Sequence, residues 1–210
     1  NLCRMSSPAL VYLHGFRSSP QSRKAQLFVR RVAALAETSR PLLHVPDLGH
    51  EPAEAVGRVA AWIEHAVREP QADLTLIGSS LGGFYATHLA ERFGARAVLI
   101  NPAIRPYEDL VAQMGTQVNL YSGESFEVVE EHFAELRALA VPRITRPERY
   151  YLMVQTGDEV LDWREAVAYY GGAHQLVQGG GDHGFRGFDA EIPALLRFDR
   201  AADQGGELAM

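Results

Sequence analysis

The sequence predicts an α/β fold: about six strands in a mainly parallel sheet, with helices on both faces. Two observations carry this. Short apolar runs recur along the chain: Leu10-Val11-Tyr12-Leu13, Leu42-Leu43-His44-Val45, Leu74-Thr75-Leu76-Ile77, Ala97-Val98-Leu99-Ile100, Tyr151-Leu152-Met153-Val154 and Gln175-Leu176-Val177. Most are apolar at successive rather than alternate positions, which suits strands buried on both sides. Helical periods lie between the runs, and strand–helix alternation calls for right-handed crossovers.

Taken in order, the first run ends at the loop His14 to Pro20, and a stripe of Ala25, Phe28, Val32 and Leu35 marks the first helix. A second stripe, Val56, Ala60, Ile63 and Val67, follows the second run. The third run leads into Gly78-Ser79-Ser80-Leu81-Gly82 and a further helix. After the fourth run the rhythm breaks. Residues 101–141 read as two helix-like stretches with no strand between them, one carrying the stripe Phe126, Val129, Phe133 and Leu136; Gly115 to Gly123 has no periodicity. Connections this long in compact domains are usually functional, so residues 102–141 are expected to form a small lid over the sheet's carboxyl edge. Trp163, Ala166, Val167 and Tyr170 mark another helix, with Asp162 placed as its N-cap. Residues 1–210 are read as one domain, and the small, polar residues 201–210 are expected to lack regular structure.

Composition narrows the classes. The 210 residues are 47% hydrophobic and 22% charged, enough apolar material for a large core. A formal net charge of −6 argues against nucleic acid and anionic membranes as partners. The single cysteine, Cys3, makes no intrachain disulfide, and no stretch has transmembrane length; a cytoplasmic location is expected. No HExxH or Cys/His cluster suggests a metal, and no cofactor is expected.

The corner at Ser80 carries the chemistry. G-x-S-x-G between a strand and a helix forces its central residue into a strained conformation and exposes that hydroxyl at the sheet's carboxyl end. The helix start beneath it offers free N–H groups and the positive end of a dipole. A phosphate loop is excluded, since the glycines are not followed by Lys-Ser/Thr and the G-x-G-x-x-G spacing is missing. A serine needs a base, normally a histidine held by a carboxylate, in the chain order Ser, acid, His, each just past a strand. Asp158 in "QTGDEVLD" and His183 in "QGGGDHGF" meet that requirement. His44 and His174 fall in strands and His65, His88 and His132 in helices, where packed or solvated roles are expected. The oxyanion donors are expected to be the N–H groups of Leu81 and Phe16, with Gly15 permitting the close approach. His14 either braces that loop or merely ends the strand. Phe16, Phe84, Tyr107 and His14 are the expected pocket lining, under residues 106–123.

With these residues in view, the chain resembles the YqiA-like esterases of the α/β-hydrolase superfamily, small bacterial hydrolases. The resemblance rests on "YLHGFRSSPQSRKA", "GSSLGGFYAT", "NPAIRPYEDL", "QTGDEVLDWREAVAYY" and "GGDHGFRGF", spanning Tyr12 to Phe188. It implies Ser80, Asp158 and His183 as the triad and a strand order of 2-1-3-4-5-6. It also implies cleavage of acyl esters, including acyl thioesters such as palmitoyl-CoA. The expected activity is therefore serine-esterase hydrolysis of a small-molecule acyl ester through a Ser80 acyl-enzyme. The alternatives are an acyl-CoA thioesterase and a binding protein that keeps the fold without turnover.

Overall fold

The structure is a computed structural model that describes residues 8–200; Cys3 and the tail 201–210 lie outside the described residues. The elements in chain order are β1 (Ala9–Leu13), α1 (Arg23–Ala33), β2 (Leu42–His44), α2 (Pro52–Ala66), α3 (Pro70–Asp73), β3 (Leu74–Ser79), α4 (Leu81–Phe93) and β4 (Arg96–Ile100). They continue with α5 (Pro106–Asp109), β5 (Gly115–Val118), β6 (Ser125–Val128), α6 (Glu130–Leu139), β7 (Tyr150–Gln155), α7 (Trp163–Tyr169), β8 (His174–Gln178) and α8 (Phe188–Arg200).

Six strands form one parallel sheet in the order β2-β1-β3-β4-β7-β8, which is 2-1-3-4-5-6 when the strands of that sheet are counted alone. The doubly apolar runs have a direct structural reading. Val11 and Leu13 of β1, Leu76 of β3, Leu99 of β4 and Leu152 of β7 face one core, with Val56, Ile63 and Leu89 of α2 and α4. Their neighbours Leu10, Tyr12, Ile77, Val98, Ile100 and Met153 face a second core, with Phe28 and Val32 of α1 and Ile192 and Leu195 of α8. Successive strand residues point to opposite faces, so a strand buried on both must be apolar throughout.

The excursion after β4 differs from expectation. Residues 101–141 do contain strands: β5 and β6 pair antiparallel, Gly115 opposite Val128 and Val118 opposite Ser125. Only Phe133 and Leu136 of the third stripe are buried in α6; Phe126 lies in β6, and Val129, 43% exposed, caps the helix. The apolar spacing across Phe126 to Leu136 mimics a helical period because a strand runs straight into a helix. Strands of four residues are too short to announce themselves as runs. The hairpin tip is stitched to the β1–α1 loop. Leu120 N–H donates to the Arg17 carbonyl (2.9 Å), Arg17 Nε to the Val118 carbonyl (3.0 Å), and Asn119 Nδ2 to the Ser18 carbonyl (2.9 Å).

Candidate active site

The parallel register brings the carboxyl ends of β1, β3, β4, β7 and β8 to one edge, where the candidate residues gather. Ser80 follows β3 with φ 56° and ψ −122°, a backbone conformation that costs a non-glycine residue on the order of 1–3 kcal/mol. The corner holds it there. Ser80 N–H donates to the Ile100 carbonyl (3.0 Å), and the Ser80 carbonyl accepts from Gly83 N–H (2.9 Å) and Ala103 N–H (3.1 Å). A Cβ at Gly78 would collide with the Gly82 carbonyl, and one at Gly82 with the Leu13 carbonyl. The flanking glycines are therefore demanded by packing of backbone on backbone.

His183 bridges the other two residues. Its Nε2 lies 3.0 Å from Ser80 Oγ, and its Nδ1 lies 2.8 Å and 3.0 Å from the two Asp158 oxygens. The Asp158 side chain is 2% exposed. Burial pushes its carboxyl upward, but the His183 ring and the N–H groups of Leu161 and Val160 outweigh this and hold it below the usual carboxylate range. Asp162 does something else: it caps α7, accepting the Arg164 N–H at 3.0 Å.

Two buried side chains that carried no assignment in the sequence position the histidine loop. Asn101, at φ 41°, donates through Nδ2 to the carbonyls of Asp182 (3.1 Å) and His183 (3.2 Å) and accepts the Gln155 N–H (3.0 Å). Gln155 Oε1 accepts the N–H groups of Asp182 (3.1 Å) and Arg186 (2.8 Å). Asn101 stands within "NPAIRPYEDL", one of the matching stretches, and that placement was the only signal available. Glu159 Oε2 also accepts the His183 N–H, at 3.0 Å.

The β1–α1 loop lies against the corner: a Cβ on Gly15 would sit 3.2 Å from Ser80 Cβ and 3.6 Å from its Oγ. Neither the Phe16 N–H nor the Leu81 N–H has a hydrogen-bond partner among the described residues. His14 braces the loop. It is 2% exposed, its Nδ1–H donates to the Gly15 carbonyl (3.0 Å), and its Nε2 accepts the Leu48 N–H (3.2 Å). Burial lowers its basicity, against the raising effects of the Gly15 carbonyl and Asp47, which suits a neutral, accepting ring.

A cavity of about 780 Å³ opens on Ser80 and His183. His14 and Phe16 line it, as expected. Phe84 and Tyr107 do not. Phe84 is packed in the core against Tyr85, and Tyr107 lies beneath the Arg137 guanidinium, 5.7 Å from its ring centroid. The cavity is not roofed by residues 106–123: of that segment only Leu120 and Tyr121, at the hairpin tip, reach it. Its other walls come from the start of α1 and from the histidine loop leading into α8. A serine, histidine and aspartate hydrogen-bonded in this spatial order can deprotonate a nucleophile and hold the resulting imidazolium. Among the described residues no group of three or more His, Cys, Asp or Glu side chains could hold a metal ion, and no helix is long and apolar enough to cross a membrane.

The sheet order, the strained serine corner and the crossovers define the α/β-hydrolase fold, and solved structures agree. The chain is similar to a provisionally assigned hydrolase from Agrobacterium vitis S4, at 20% identity and TM-score 0.71, covering 92% of this chain and 88% of that one. It is similar to mouse alpha/beta hydrolase domain-containing protein 10, at 17% identity and TM-score 0.67 (93% and 90% covered). It is also similar to the esterase domain of a Rhodothermus marinus protein, at 19% identity and TM-score 0.64 (95% and 89%). More narrowly, the model of the uncharacterised protein family UPF0227, the YqiA-like family, matches residues 9–200, and the chain belongs to that family.

Proposed function

We propose that the protein is a serine esterase that hydrolyses small acyl esters, with Ser80 as nucleophile, His183 as general base and acid, and Asp158 as the carboxylate that fixes His183. The observation that carries this is the continuous hydrogen-bonded chain from Ser80 Oγ through His183 to Asp158, on a strained corner beside N–H groups that have no partner among the described residues. Ser80 Oγ attacks the ester carbonyl carbon while His183 Nε2 takes its proton, and the carbonyl π pair moves to the oxygen. The N–H groups of Leu81 and Phe16 receive that oxyanion. Collapse breaks the bond to the leaving oxygen, which departs as an alcohol with the proton returned by His183. A water molecule then loses a proton to His183, attacks the acyl-enzyme and releases the carboxylic acid and free Ser80.

The esterase domain among the structural neighbours supports the same class of activity. The chemistry extends to a thioester, where a thiol leaves instead; matched oxygen and thiol esters rank the two. A non-catalytic binding protein has no use for an aligned base and acid, so the intact chain disfavours that reading. The test is steady-state turnover of a short-chain chromogenic ester by the wild type and by Ser80→Ala. Turnover in the wild type and background hydrolysis in the folded variant are expected. Equal turnover in both overturns the assignment of Ser80.

A further inference from the structure

The cavity at Ser80 contains a cation to which the fold gives no counter-charge in contact. Lys24, in the first turn of α1, lines the cavity with its neighbours Ser22 and Arg23. Its side chain is partly buried, and its ammonium has no hydrogen-bond or ion-pair partner among the described residues. Burial pulls the amine down to about 8, against the more distant raising influence of Asp158 and Asp182. The other groups nearby are engaged. Arg17 donates to the Val118 carbonyl, Arg186 holds Asp182 at 3.1 Å, and Glu159 accepts the His183 N–H. The remaining lining carboxylate, Asp189, lies in the first turn of α8. A buried ammonium without a partner is unfavourable, and such groups are normally paired.

The second observation is the end of α1 itself. This 11-residue helix begins on the cavity wall, and Ser22 at its cap makes no side-chain hydrogen bond to the first turn. The N–H groups of Arg23, Lys24 and Ala25 have no partner among the described residues. Free helix-start donors beside an ammonium that no anion contacts form a receptor for a carboxylate or phosphate. The third observation is place. The seat and Ser80 share one cavity of about 780 Å³, a size at which a single small molecule can engage both.

We propose that the ester hydrolysed here carries a second, anionic group, a carboxylate or a phosphate, which Lys24 and the first turn of α1 hold while Ser80 attacks the ester carbonyl. This rests on the esterase reading above. The anion supplies a counter-charge in contact, where the fold offers only the more distant Asp158 and Asp182, and the partial burial of Lys24 becomes a device of selection: a neutral ester leaves the ammonium without a contacting anion.

The test is kcat/KM on matched pairs. For the acyl side, p-nitrophenyl hemisuccinate is compared with p-nitrophenyl butyrate; for the alcohol side, butyrylglycolate is compared with ethyl butyrate. Phosphate or phosphonate analogues of each charged ester rank the two anions. The wild type is expected to prefer the charged member of at least one pair by about tenfold or more, the scale of a charge-assisted hydrogen bond. That preference should collapse in Lys24→Met and survive in part in Lys24→Arg. A wild type that favours the neutral ester of both pairs, or a preference unchanged in Lys24→Met, overturns the proposal. Should Lys24→Met not fold, acetylation of Lys24 in the wild type, read by peptide mass, is compared with and without succinate or inorganic phosphate. Protection is expected, and its absence overturns the anion seat. If no ester of either kind is turned over, the hydrolase reading fails on its own, and the protection experiment still decides whether an anion binds.

Discussion

Asp158 and Asp162 stand four positions apart, and their surroundings give them different work. Asp158 faces the His183 ring from a buried site, whereas Asp162 holds the first turn of α7. Asp158→Asn keeps the shape but favours the wrong imidazole tautomer; in serine proteases that exchange costs on the order of 10⁴ in turnover. We expect a comparable loss here with little change in thermal midpoint. Asp162→Ala removes a cap worth about 1 kcal/mol, or about 2–4 °C for a chain of this size, and should stay largely active. Turnover and melting measured on both proteins check the pair. Asn101→Asp is the companion experiment. It keeps the acceptor for Gln155 N–H but sets a carboxylate against the carbonyls of Asp182 and His183, so kcat should fall while KM for a neutral ester changes little. The placements of Ser80, Asp158 and His183 at one site could be read from the sequence because each follows an apolar run in the chain order expected of such a site. Those of Asn101 and Gln155 could not, since a buried amide that ties backbone groups together leaves no periodic mark. Phe84 misled for a related reason: an aromatic four residues after the corner serine can line a pocket or fill a core, and only the packing decides.

The corner and the hairpin are the elements on which the site depends. At the corner, the positive φ of Ser80 sets a stability order. Glycine adopts that backbone without a Cβ penalty, so Ser80→Gly should be more stable than Ser80→Ala by about 1 kcal/mol, with both inactive. Urea unfolding of the two variants measures the difference. The hairpin is held to the loop carrying Phe16 through Asn119, whose Oδ1 accepts the N–H groups of Tyr121 (2.9 Å) and Ser122 (3.1 Å) while its Nδ2 reaches Ser18. The Phe16 ring meets Phe126 of β6 edge-on, with centroids 5.9 Å apart. Asn119→Ala should therefore loosen both the tip and the loop, giving faster amide exchange at Leu120 and a slower acylation step. Unchanged exchange at Leu120 would separate the hairpin from the loop. That an excursion stood here was legible from its length. Its strands were not, because four-residue strands with mixed polarity offer too few positions for a period to emerge.

Across the whole molecule, the two-sided core was the most legible feature, since burial of both strand faces is written into successive residues. The edge strands β2 and β8, partly exposed, were correspondingly the weakest runs. The end of the sheet away from the site is fastened by Glu91, which accepts from Tyr150 OH (2.6 Å), Thr145 N–H (3.0 Å) and Thr145 Oγ1–H (2.7 Å). Burial raises the Glu91 carboxyl, but these donors and Arg149 outweigh it, and the net shift is downward. A carboxylate depressed in the folded state contributes stability above its unfolded value, and that contribution is lost as pH falls through the folded value. Melting temperature should thus drop more steeply on acidification for the wild type than for Glu91→Gln. Activation of Ser80 as a nucleophile through His183 is read by mass spectrometry after exposure to a fluorophosphonate. One adduct is expected, on the peptide carrying Ser80, formed far more slowly in His183→Ala and missing in Ser80→Ala; an adduct on another residue, or none on the folded wild-type protein, would overturn the assignment of Ser80.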